Sequence, residues 1–400
     1  MRILVASHTY IVPLNCEKLR TLASLHPGVE VTIVVPKTWK PGGVQNKVIE
    51  SISVSDGNFR VVPVSNFSQN NQGLLCFGWD FIQLLQEFKP HIIQVEQGAK
   101  AIGYAQAITL NRLLNLGAKN LFFTWWNLPY NLKFPINHLE AYNLRHSHGI
   151  VVGNQDGANV LAEHGYHGPM RIMPQLGVDD ALFSPRPQSD LKSKLGIQPD
   201  DFTVGFVGRF VQEKGLHTVV KALSELFHNA RSSQDKTLPH WKWLLLGRGP
   251  LKEELVQQLK AAGIGDRVLW VESVPHEDVP RYINVMDTLL LPSETTYNFK
   301  TLTSCGWKEQ FGHVLIEAMA CQVPVIGSNS GEIPNVIGNA GLVFPEGDAK
   351  ALANCLREVM RSPKRKLELG QLGYQRAMTK YTNKALAKEL FSFYQELCAA

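Results

Sequence analysis

With 400 residues, 44% of them hydrophobic and 19% charged, the chain is long enough for two domains, each with its own core. A formal charge of +5 spread over both halves leaves no basic stripe for nucleic acid, but suits anionic substrates or loose contact with an anionic membrane face. The six cysteines include no C-x-x-C pair, which removes that class of metal and redox motif and points to reduced thiols in a cytoplasmic setting.

The start, MRILVASHTY, runs directly into a strand and lacks the pattern of a signal peptide. No apolar run approaches 18 residues, so a soluble or peripheral protein is expected. Strand-like runs fall at 2–7, 30–36, 59–64, 91–96, 120–125 and 149–153, and amphipathic helices near 79–88, 99–115, 136–147 and 154–164. Continuous β-branched runs separated by helices predict a parallel sheet covered on both faces. This half, 1–185, reads as a Rossmann-like domain. Its first turn, SHTYIVPLNCEKL, carries none of the glycines of a dinucleotide fingerprint. His8 and Asn127 sit at predicted strand ends, where open α/β sheets bind ligands, and are candidates for an acceptor site. Trp125, Trp126 and Tyr130 beside Asn127 offer rings that stack on sugars. His146, His148, His164 and His167 lack the neighbouring ligands of a metal shell, and no Asp-x-Asp follows a strand, so metal-independent chemistry is expected.

The segment MPQLGVDDALFSP at 173–185 and the run after it read as an exposed connector. A second domain, 186–375, opens with FTVGFVGRFVQEKGLHTVVKAL. A buried strand ends at Gly208, and Arg209 and Lys214 follow at its C-terminal end, over a helix start. Arg offers a planar fork and Lys a compact charge to phosphate oxygens. The strand WKWLLL leads into Gly247-Arg248-Gly249, glycines that let a base or ribose approach the backbone. A strand, helix and strand follow over 267–293, and 294–307 reads as a long polar loop of the kind that folds over ligands. Then comes KEQFGHVLIEAMACQVPVIGSNSGEIP at 308–334: a helix from Gly312 to Cys321, and a short buried strand. Free N–H groups at that helix start favour an anion, while Glu309 and Glu317 on either side accept from hydroxyls. Hydroxyls flanking a phosphate describe a sugar nucleotide. The final helical patterns lie at 363–379 and 382–398, with Leu386, Leu390, Phe393 and Leu397 forming one apolar face.

The Glu309-x7-Glu317 spacing, together with Arg209 and Lys214, resembles the signature of the retaining GT-B glycosyltransferases of family 4 (group 1), most closely over about 202–345. The resemblance implies two Rossmann-like domains facing a central cleft, and a terminal segment, 376–400, whose helix packs back on the N-terminal domain. It implies catalytic roles for Arg209, Lys214 and Glu309. It also implies donor contacts at Gly208, Gly247, Val274, Phe311, Gly312, His313, Val314 and Glu317. The implied reaction moves a sugar from a UDP- or GDP-sugar to a saccharide or lipid-linked acceptor, with retention, by front-face attack and without a cofactor. The chain departs from the family's pattern in its N-terminal half, which lacks the glycine-rich first turn and the histidine near 122–131. A catalytically impaired nucleotide-sugar-binding or scaffold protein is therefore the second reading. An NAD-dependent oxidoreductase and a sugar-nucleotide 2-epimerase follow behind it.

Overall fold

In the N-terminal part, runs such as EVTIVVP are apolar at nearly every position, which suits strands buried on both sides. The structure, a computed structural model, describes residues 1–40, 48–231, 238–300 and 305–399. It divides into two compact units: Met1–Gly177 with the helix Asn383–Ala399, and 178–300 with 305–382.

In the first unit the strands are β1 (Arg2–Ala6), β2 (Glu30–Pro36), β3 (Thr38–Trp39), β4 (Ile49–Glu50), β5 (Val54–Asp56), β6 (Phe59–Val64), β7 (Ile92–Val95), β8 (Lys119–Thr124), β9 (Gly149–Val152) and β10 (Met170–Ile172). Eight of them form a sheet in the order β10-β9-β8-β7-β1-β2-β6-β5, while β3 and β4 pair separately. Only β5 runs antiparallel within the larger sheet. The helices are α1 (Glu17–Leu25), α2 (Trp79–Phe88), α3 (Ile102–Leu113), α4 (Ile136–Arg145) and α5 (Gln155–Glu163). On one face of the sheet Leu4, Ala6 and Ile93 pack with Phe81 and Leu85 of α2 and Tyr104 and Ile108 of α3. On the other, Ile3, Val5 and Val31 pack with Leu19 and Leu22 of α1 and with the C-terminal helix. The short edge strands β5 and β10 escape a reading by apolar runs, because both are only partly buried and polar at their centres or ends.

The second unit contains α6 (Ser189–Lys194), β11 (Phe202–Val207), α7 (Leu216–Arg231), β12 (Trp241–Leu246), α8 (Lys252–Ala261), β13 (Val268–Val271), α9 (Val279–Ile283), β14 (Thr288–Leu291), β15 (Thr296–Lys300), β16 (Cys305–Trp307), α10 (His313–Ala320), β17 (Val325–Ser328), α11 (Ile333–Ile337), β18 (Leu342–Phe344), α12 (Ala349–Arg361) and α13 (Pro363–Lys380). Its six-stranded sheet runs β13-β12-β11-β14-β17-β18, and every pairing is parallel. All six C-terminal strand ends therefore open on one edge, the edge at which such sheets bind ligands.

Two expectations change. The polar loop at 294–307 contains an antiparallel ribbon, β15 with β16, pairing Thr296 with Trp307 and Lys300 with Cys305. Thr, Tyr, Phe and Trp favour a pleated strand, and their preference outweighed the polar residues between them; residues 301–304 of that loop lie outside the described residues. The units also divide at 177/178 and 382/383, where the sequence placed boundaries at 185/186 and 375/376. Val178 donates its N–H to Tyr381 O at 2.8 Å and bridges to Thr382, so both crossings run side by side within the second unit. Phe183 is buried there against His276. The last helix, α14 (Asn383–Ala399), buries Leu386, Leu390, Phe393 and Leu397 in the first unit's core beside α1. Among the described residues no helix is long and apolar enough to cross a membrane.

Candidate active site

The second unit's open edge is assembled from strand ends. At the end of β11 lie Gly208 and Arg209, and at the end of β12 lies Gly247. A Cβ on Gly247 would fall 1.9 Å from the Gly208 carbonyl oxygen, so only glycine allows the two turns to touch. Val274, half-buried, stands in the turn after β13. The Arg209 side chain is 66% exposed, with Nη2 3.6 Å from the Glu213 carboxylate. Arg209 thus remains open to solvent and does not join the ion pair next to it.

That pair is Lys214 with Glu309. Lys214 leaves the short turn Gln212–Lys214 and places Nζ 2.5 Å from Glu309 Oε2. Both side chains are mostly buried, at 15% and 9% exposure. The wholly buried Ser293 donates its hydroxyl to the same Oε2 at 2.7 Å, and the Trp307 ring lies 5.0 Å from the Lys214 ammonium. The Glu309 backbone is held as well. Its N–H reaches Ser330 Oγ at 3.5 Å, and its carbonyl accepts the Glu332 N–H at 3.2 Å. Sequence reasoning named Lys214 and Glu309, which the structure brings together, but not Ser293 and Trp307, which pack beside them. Ser293 was visible only as the polar residue after an apolar strand, a signal that any loop start gives.

Helix α10 begins at His313 behind Gly312, which has φ 85° and no side-chain cap. A Cβ at Gly312 would meet Leu291 at 2.5 Å, so the turn demands glycine by conformation and by space. Phe311 is buried, with its ring 5.1 Å from that of His313, and Val314 is half-buried. The uncapped start offers backbone donors and the positive end of the helix dipole. Glu317 stands in the second turn of α10, and no described residue hydrogen-bonds its carboxylate. Burial pushes that carboxyl up to about 7, although part of the residue still meets solvent. A carboxylate poised in this way gains from ligand hydroxyls.

The first unit's candidates are set apart by burial. His8 packs its ring 4.8 Å from Trp39, its buried Nδ1 has no partner, and burial pulls it down to about 4. Asn127 is 5% exposed. Trp126 and Tyr130 flank the Lys100 ammonium, at 4.3 and 3.7 Å from their ring centres. His164 Nδ1 lies 2.8 Å from Glu140, while His146 contacts Arg112 at 3.0 Å and His148 accepts the Asn120 N–H. Those three histidines are thus engaged with protein partners.

The family described as glycosyl transferases group 1 matches residues 187–376, the stretch that carries Arg209, Lys214, Glu309 and Glu317. Residues 187–376 are a glycosyltransferase group 1 domain. The chain is 26% identical over 234 residues to a 2-deoxystreptamine glucosyltransferase of Streptomyces kanamyceticus, covering 57% of this chain and 55% of that protein. It is 27% identical over 241 residues to a GDP-mannose-dependent phosphatidylinositol monomannoside mannosyltransferase of Mycolicibacterium smegmatis, covering 57% and 58%. The chain thus spans about half the length of the curated relatives it matches. Its fold is similar to that of Anabaena HepE in complex with UDP, with a TM-score of 0.67 at 15% identity, covering 99% of this chain and 100% of that one. The group 1 domain therefore sits within the two-unit α/β fold of the GT-B glycosyltransferases.

Proposed function

We propose that this protein is a retaining, metal-independent glycosyltransferase that moves a sugar from a UDP- or GDP-sugar to a saccharide or lipid-linked acceptor. The observation that carries the reading is the buried Lys214–Glu309 pair, set at the ligand-binding edge of the second sheet near an uncapped helix start. Arg209 and Lys214 take the diphosphate. An ammonium has three protons, so Lys214 keeps one bond to Glu309 and turns the others to phosphate. As the bond from the anomeric carbon to the phosphate oxygen breaks, the β-phosphate gains charge, which these cations and the N–H groups of 311–314 stabilise. Glu309 holds the sugar hydroxyls beside the developing cationic carbon, and Glu317 takes the ribose hydroxyls. The acceptor hydroxyl attacks from the face the phosphate leaves, and the departing phosphate oxygen takes its proton. Lys214, held in the buried pair, and the exposed Arg209 supply the charge stabilisation that a divalent ion supplies elsewhere.

For the acceptor, His8 and Asn127 of the first unit are the candidates. A charge of +5 supports peripheral contact with the cytoplasmic membrane face, where a lipid-linked acceptor is presented. The test is hydrolysis or transfer with a panel of UDP-, GDP- and ADP-sugars. Lys214→Ala is expected to lower turnover by on the order of 10²-fold or more. Turnover equal to wild type, or no donor held tighter than millimolar, would sink the reading.

A further inference from the structure

The Lys214 turn and the Glu309 loop are about 95 residues apart in sequence, and the two consecutive residues Ser293 and Glu294, just past β14, stitch them together. Glu294 donates its N–H to the Glu213 carbonyl at 2.9 Å and accepts the Thr218 hydroxyl at 2.5 Å, which fastens it to the turn and to the start of α7. Ser293 faces the other way, donating to Glu309 Oε2 at 2.7 Å. Its carbonyl accepts the Ser328 hydroxyl at 2.5 Å, so the segment is held from β17 as well. Ser293 and Ser328 are wholly buried.

We propose that Ser293 is a positioning residue for sugar transfer, its hydroxyl fixing the rotation of the Glu309 carboxylate. This rests on the reading that Glu309 contacts the donor sugar. The terminal torsion of a glutamate is broad, so each donor on the carboxylate narrows the swing of its plane. Ser293 adds to Lys214 a donor on the same oxygen, from a rigid buried hydroxyl, and narrows that swing further. A hydroxyl has one proton, and here it is committed to Glu309. The ammonium then need not turn its remaining protons toward Glu309 to hold it, and they stay available for phosphate. Without Ser293 the donor still binds through its nucleotide, while the sugar contact loses its aim. Misplacement of about an ångström at a reacting centre costs on the order of 10²-fold.

The test is a double-mutant cycle of wild type, Ser293→Ala, Glu309→Gln and the double variant, using the UDP- or GDP-sugar that wild type turns over. Turnover, KM and calorimetric affinity for the matching nucleoside diphosphate are read below the melting temperature of every variant. Ser293→Ala is expected to lower kcat about 10- to 100-fold, with nucleotide affinity within about threefold of wild type. In the Glu309→Gln background the same change should cost less than about threefold, because the residue it positions is already gone. Ser293→Thr, which keeps the hydroxyl, should recover most of the lost kcat. The full loss reappearing in the Glu309→Gln background would show a structural role and overturn the proposal. So would an unchanged kcat in Ser293→Ala while Glu309→Gln is impaired. Wild-type turnover in Glu309→Gln would instead refute the reading of Glu309 itself.

Discussion

Glu317→Gln should make the protein more stable and a poorer nucleotide binder at the same time. The carboxyl is pushed up from an ordinary 4.5 to about 7 by burial. A group with a raised acid pKa binds more protons folded than unfolded, so its contribution is favourable below about 4.5 and declines as pH rises to about 7. Above that, the charged form costs up to about 3.5 kcal/mol, from about 2.5 pH units at about 1.4 kcal/mol each. Because the residue keeps some exposed surface, a gain on the order of 1–3 kcal/mol is expected for Glu317→Gln at pH 8, read as a higher melting temperature. The binding side has the opposite sign. Ribose hydroxyls donate best to the carboxylate, so the affinity of wild type for UDP or GDP should fall about tenfold from pH 8 to pH 6, as Glu317 takes up its proton. The Gln variant should bind more weakly at pH 8 and lose that dependence. Calorimetric titration at three pH values, beside thermal melts, reads both effects. A variant no more stable than wild type at pH 8, with the pH dependence of binding intact, would refute the assignment of Glu317 to the nucleotide.

Three further outcomes are expected. His8 is held near 4 rather than the ordinary 6.5, so its contribution to stability is present above pH 6.5 and is lost as pH falls to about 4; His8→Asn should flatten that acid limb by on the order of 1–3 kcal/mol in denaturant titrations. Gly247→Ala drives a Cβ onto the Gly208 carbonyl, and should cost about 1–3 kcal/mol of stability and over tenfold in nucleotide affinity, checked by melts and calorimetry. Phe393→Ala removes a ring that is 1% exposed where α14 packs in the first unit, and should cost about 3–5 kcal/mol in chemical unfolding.

The regular skeleton was legible because its strands are buried on both faces. RILVA, EVTIVVP and WKWLLL are apolar at most positions and match their strands within a residue or so. The ribbon at 296–307 was not legible, since its hydrophobic residues are exposed; Tyr297 at 68% and Phe299 at 57% leave no buried alternation to read. At the site, Lys214 and Glu309 were named because their motifs resemble a family signature; charges at a strand end or a helix start are by themselves common on solvated surfaces. Their direct pairing was hidden, because a contact across 95 positions depends on how β11 and β14 lie side by side. Ser293 was missed for the same reason. The first unit's candidates came from strand-end position and, for Asn127, from the aromatic rings beside its amide; the packing of His8 on Trp39 and the near enclosure of Asn127 were not visible in those signals.

A crystal structure with UDP or GDP bound most directly addresses what Lys214 and its neighbours are for. The diphosphate is expected within hydrogen-bond distance of Lys214 and Arg209, over the start of α10, with the ribose hydroxyls on Glu317. A nucleotide seated elsewhere, or a diphosphate that leaves Lys214 bound to Glu309 alone, would contradict the account.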